Sequence, residues 1–142
     1  MKRAYLIIFS FLLMSIDVSL SELRSKSAIE SSVYIISPSA DQEVINPITI
    51  KFGIKGMNLS PAGIEKEFSG HHHLLIDLKD LPDLSKPIPS DKNHMHFGKG
   101  QTEVTIQLPI GEHTLQLLFA DFLHIPHHKP LYSDKIKIYV KE

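Results

Sequence analysis

The chain has 142 residues, no cysteine, and 15 lysines and arginines against 16 aspartates and glutamates, for a formal net charge of −1. That length suits one domain, the lack of cysteine excludes disulfides and a lipid-anchored cysteine, and interspersed charges without a basic stripe argue against a nucleic acid or an anionic membrane surface as partner. Any metal site must therefore use imidazole nitrogen, carboxylate oxygen or methionine sulfur, and the sequence holds nine histidines.

Residues 1–21 have the pattern of an export signal. Lys2 and Arg3 give a positive start, and residues 4–16 (AYLIIFSFLLMSI) are apolar but shorter than the roughly 20 residues of a spanning helix. Ser19-Leu20-Ser21 is a small-x-small cleavage site, which predicts a periplasmic or secreted chain starting at Glu22, with no stable membrane insertion after cleavage. An uncleaved anchor is the alternative. Loss of Lys2, Arg3 and Asp17 would leave 13 basic and 15 acidic residues, and all nine histidines would remain.

A polar lead-in at 22–32 is followed by period-two patterns. Ile48, Ile50, Phe52 and Ile54 alternate with Thr49, Lys51, Gly53 and Lys55, as a half-buried strand requires. The same alternation predicts strands at 33–37, 47–55, 72–78, 94–97, 101–108, 113–119 and 134–141. Turn residues punctuate them, among them Asn46-Pro47, Ser60-Pro61-Ala62-Gly63 and Gly98-Lys99-Gly100. No segment has a helical period. The expected fold is all-β, an immunoglobulin-like β-sandwich of about seven strands over residues 33–142, with a barrel as the alternative. The connections 56–70 and 79–93 are long enough to be read as mobile.

The histidines fall in three groups. In GHHHLLID (70–77), alternation puts His72 with Leu74 and Ile76 on the core row, and His71 and His73 together on the outer face. In HMHF (94–97), Met95 and Phe97 take the apolar row and leave His94 and His96 paired. The third group, His124, His127 and His128, lies in a connection that Pro126 and Pro130 stiffen. Strands alternating in direction bring the three groups to one end of a sandwich, although the sheet that 94–97 joins is open from sequence.

Neutral imidazole suits copper and zinc, and copper has the greater intrinsic affinity where no thiolate intervenes. The candidate ligands are His71, His73, His94, His96, His124 and His127, in an exposed or half-exposed site. Candidate supporting groups are His72, Asp77, Asp121 and the sulfur of Met95. Affinity is expected to fall as pH drops below about 6.5, where a free imidazole protonates. The competing reading is that these histidines make backbone hydrogen bonds and hold no ion; His113, at the opposite end, is read that way.

GHHHLLID, HFGKGQTE (96–103), HTLQLLFAD (113–121) and the run from His124 to His127 resemble the bacterial family catalogued as domain of unknown function 4399. The resemblance covers roughly residues 50–140, with Lys99 standing where glycine is expected and Phe122 where a polar residue is expected. It implies an exported domain and transfers no activity. Beside metal binding, a non-catalytic module that grips an envelope protein or a glycan through the same end loops is a second possibility, with Phe68, Phe122 and Tyr132 as its aromatics. An enzyme is not expected: Gly-x-Ser-x-Gly, H-E-x-x-H and phosphate-cradling motifs are all missing.

Overall fold

The computed structural model describes residues 24–142, so the expected signal segment and its expected cleavage site at 19–21 lie outside the described residues. The described chain is all β, in ten strands: β1 (Ser32–Ser37), β2 (Gln42–Ile45), β3 (Ile48–Lys55), β4 (Asn58–Leu59), β5 (Ser69–Ile76), β6 (His94–His96), β7 (Glu103–Ile106), β8 (Gly111–Ala120), β9 (Pro126–Tyr132) and β10 (Ile136–Lys141). They form two sheets, β1-β3-β7 and β2-β10-β8-β5-β4, with β6 paired to β5 and β9 paired to β8. Among the described residues no helix is long and apolar enough to cross a membrane.

The core lies between the sheets and follows from alternation. Ile48, Ile50 and Phe52 of β3 meet Leu74 and Ile76 of β5, Leu115, Leu117 and Phe119 of β8, and Ile138 and Val140 of β10, all buried. Each such side chain contributes roughly 1.5–3 kcal/mol on leaving water. Thr49 and Lys51, between the buried residues of β3, stay exposed.

Strand β5 departs from half-burial: all eight of its residues are buried. A strand buried on both faces needs a second cover. Here the segment 77–93, whose part 79–93 was expected to be mobile, folds back over the outer face of the larger sheet. Its Ile88 is buried against Leu75, Leu118 and Ala120, with Leu78, Leu81 and Leu84 packed around them. Backbone bonds fix both flanks: Ile76 N–H donates to the Asn93 carbonyl at 2.9 Å, and Ile88 N–H to the His124 carbonyl at 2.9 Å.

Three strands go beyond the expected set. β2 pairs in parallel with β10, and β4 in parallel with the start of β5. β9 occupies a stretch read as a stiff loop, and its two prolines are tolerated because it is an edge strand paired to β8 alone. The pairing of β6 with β5 settles which sheet 94–97 joins, and its register sets His96 opposite His73, Met95 opposite Leu74 and His94 opposite Leu75.

Candidate metal centre

Four imidazoles meet at the pole where β5 starts and β8 ends. His71 and His73 point to the outer face of β5, opposite Ala120 and Leu118 of β8. His96 comes across from the edge strand β6, and His124 from the turn after β8. Among the described residues, His71, His73 and His96 form a group whose ligand atoms all lie within 4.8 Å of one another. His96 Nε2 stands 3.2 Å from His71 Nε2 and 3.1 Å from His124 Nε2.

Local structure dictates each position. Gly70 lets β5 approach β8 closely, since a Cβ there would sit 2.2 Å from the Ala120 carbonyl oxygen. Gly98 does the same for the His96 ring: a Cβ at Gly98 would lie 2.3 Å from its Cε1 and 2.5 Å from its Nε2. His124 has φ of 64°, a left-handed backbone uncommon outside glycine. Asp121 builds that turn, accepting the N–H groups of Leu123 and Ile125 at 2.9 and 3.0 Å and the Ser25 hydroxyl at 2.8 Å.

The outward pair is not exposed, contrary to the sequence expectation. His71 is 0 % and His73 1 % exposed, because residues 77–93 cover the face they occupy. His96 opens to solvent at the free edge of β6, and His124 is partly exposed beside it. Burial disfavours the imidazolium. It drives the pKa of His73 down to about 2, with the neighbouring rings of His71, His96 and His124 adding to the effect. Burial likewise takes His71 down to about 4, His96 and His124 lowering it further and Asp121 opposing them. His96 is lowered by burial and by His124.

Neutral rings leave this cluster short of hydrogen bonds. A neutral imidazole nitrogen offers either one proton or one lone pair, so His96 Nε2 satisfies one of its two close nitrogen neighbours and not both. The buried Nδ1 atoms of His71 and His73 have no partner at all. Converging lone pairs of this kind suit a cation. An ion held at about 2.0–2.1 Å by each ligand sets tetrahedral nitrogens about 3.3 Å apart, close to the His71–His96 contact.

The other sequence candidates lie elsewhere. His94 shares the outer face with His96 but turns to Asp91, Nδ1 to Oδ1 at 2.9 Å. His127 is in the core, stacked on Phe119 at 5.8 Å with its Nε2 3.0 Å from the Ser69 carbonyl oxygen, and burial lowers its pKa. His72 sits between Phe52 and Phe119, at 5.3 and 5.2 Å, with neither ring nitrogen partnered and burial taking its pKa to about 4. The Met95 side chain packs toward the core, across the sheet from the cluster. Asp77 is at the far pole, 2.7 Å from His113. Two contributors escaped the sequence reading: Gly98, spaced two residues beyond His96, and the cover formed by Pro87, Ile88, Pro89 and Ser90.

Fold and site together define a two-sheet β protein with a buried imidazole cluster at one pole. The chain belongs to the family described as Domain of unknown function (DUF4399), whose match spans residues 50–141 and so takes in all nine histidines. No curated protein and no solved structure gives a significant match.

Proposed function

We propose that the protein is an exported, non-catalytic domain that binds a transition-metal ion, copper first and zinc second, through His71, His73 and His96. The observation that carries this reading is the convergence of three buried or edge imidazoles whose nearest nitrogen neighbours are one another and His124, with Nδ1 of His71 and of His73 unpartnered. Imidazole nitrogen favours Cu(II) and Zn(II), and with the Met95 sulfur on the opposite side of the sheet nothing soft supports Cu(I). The lowered basicity of His71 and His73 favours metal over proton well below pH 6.5, so binding persists further into acid than free imidazole would allow. The leader-like residues 1–21 support a periplasmic or secreted location. The order β1-β3-β7 facing β10-β8-β5, with β2 crossing to pair beside β10, supports an immunoglobulin-like description of the sandwich.

Isothermal calorimetry of the chain lacking residues 1–21 against Cu(II) and Zn(II) at pH 7.5 tests the proposal. One ion per chain is expected, with Kd below about 100 μM, equivalent to about 5.5 kcal/mol. Heat changes indicating nothing tighter would end it.

One observation favours a second reading, a protein- or glycan-binding module. Ile64 and Leu123 are 55 % and 53 % exposed on loops joined by the bond from Gly63 N–H to the Phe122 carbonyl, beside the same pole, with Phe68 and Tyr132 also exposed. Replacing Ile64 and Leu123 by serine would then abolish retention of an envelope component and leave metal titrations unchanged.

A further inference from the structure

The metal reading leaves a cleft unexplained. It lies between the β6 edge and the covering segment, lined by His73, His96 and His124 on one side and by Pro87, Ile88, Pro89 and Ser90 on the other, with a volume of about 180 Å³. That far exceeds the roughly 10–15 Å³ that a single water needs.

Its position relative to the three ligands matters. The fully buried His71 is absent from its walls, while His73 and His96 face both the ligand group and the cleft. His124 touches the group from the side, its Nε2 3.1 Å from that of His96 and its ring centre 5.1 Å from that of His71 and 6.0 Å from that of His73. Three protein nitrogens leave a four-coordinate ion one position short, and ions so held take an exogenous ligand in the fourth place, whereas closed structural sites use four protein donors. Proline on both sides of Ile88 fixes φ at two of the positions covering the cleft, so the wall stands without collapsing onto the rings.

We infer that an ion held by His71, His73 and His96 keeps an exchangeable coordination position facing this cleft, where it takes water or a small inorganic anion beside His124. The inference rests on the metal reading and adds the class of ligand that the loaded site accepts. The exchange is a substitution: one ligand leaves as another donates its lone pair to the ion, and no electron is transferred. His124 is a positioning residue, its Nε2 offering a hydrogen bond to the incoming group.

The test is to load the protein with one equivalent of Cu(II), titrate with azide, and follow the azide-to-copper charge-transfer absorption. A saturable new band is expected. Ser90→Trp, an exposed lining position whose enlargement fills the cleft without disturbing the packing of Ile88, should weaken azide at least tenfold while copper stays at one per chain. His124→Ala should also retain one copper. An unaltered spectrum on a fully loaded protein would overturn the inference and leave the metal reading intact. Loss of copper from His124→Ala would make His124 a fourth ligand and close the position. Failure to take up copper at all would overturn both.

Discussion

His113 and His73 are both buried histidines of the larger sheet, at opposite poles, and the protein treats them in opposite ways. Burial disfavours the charged form of His113, but the Asp77 carboxylate at 2.7 Å and the Pro109 carbonyl at 2.9 Å outweigh it and raise its pKa. His73 has burial and three further imidazoles around it, no carboxylate against it, and a pKa lowered to about 2. Both nitrogens of His113 are partnered, whereas Nδ1 of His73 is empty, and the folded state bears the cost of leaving it so. Empty nitrogens alone do not mark a site, since both of those of His72 are empty in the core; what sets His73 apart is that other imidazoles converge on it.

The largest way to break this contrast is His73→Leu, which keeps much of the volume and removes the orphaned nitrogen. Metal affinity should fall more than 100-fold, about 2.7 kcal/mol, by calorimetry. Metal-free stability in urea should not fall, since replacing an unpaired buried polar group by an apolar one is neutral or favourable. The sign of the pH dependence follows. A histidine whose folded pKa lies below its unfolded value binds fewer protons folded than unfolded, so the metal-free wild type loses stability as pH falls from about 6.5 toward 4, by up to about 1.4 kcal/mol per unit for each such ring. His73→Leu should flatten that slope.

Gly98→Ala is next. Its methyl would occupy the space of the His96 ring, displacing one ligand while His71 and His73 stay in place. Copper affinity should fall about tenfold, equivalent to about 1.4 kcal/mol. An unchanged affinity would remove His96 from the ligand set.

Asp77→Asn has the smallest expected effect and lies at the other pole. Asparagine tolerates the left-handed backbone there, φ 56°, so the change removes mainly the charge. Because the folded pKa of His113 is raised, the pair's stabilisation is complete below about pH 6.5 and disappears as pH rises through that raised value. The variant should cost about 1 kcal/mol at pH 6 and less at pH 9 in urea unfolding, with metal titrations unaltered. A change in metal affinity would join the two poles.

Much of the scaffold was legible because β3 and β10 alternate and β5 and β8 are long apolar runs bounded by turn residues. β2 and β4 are too short for periodicity to register, and the two prolines of β9 look like loop residues until its edge position is known. Alternation also paired His71 with His73, and His94 with His96, with Met95 turned away; that the two pairs share a face follows only from the pairing of β6 with β5. Burial was not legible: Leu78, Leu81, Leu84 and Ile88 are three, three and four residues apart, a spacing that does not fit a strand and that Pro82 and Pro87 interrupt as a helix, so nothing announced a cover. Nor was the parting of His124 from His127, because the left-handed residue at His124 breaks the two-residue rhythm on which such sorting relies.

Residues 24 and 25 are held at the imidazole pole, Arg24 donating to the Leu84 carbonyl at 2.8 Å and Ser25 to Asp121. β10, by contrast, runs away from that pole, its Val140 pairing with Gly111 at the start of β8. A polyhistidine affinity handle joined ahead of residue 24 would hang beside the native imidazoles and compete for any ion offered to them. Joined after Glu142 it would stand about a ten-residue strand away, roughly 33 Å. Purification chemistry for this protein therefore belongs at the far end of the sandwich.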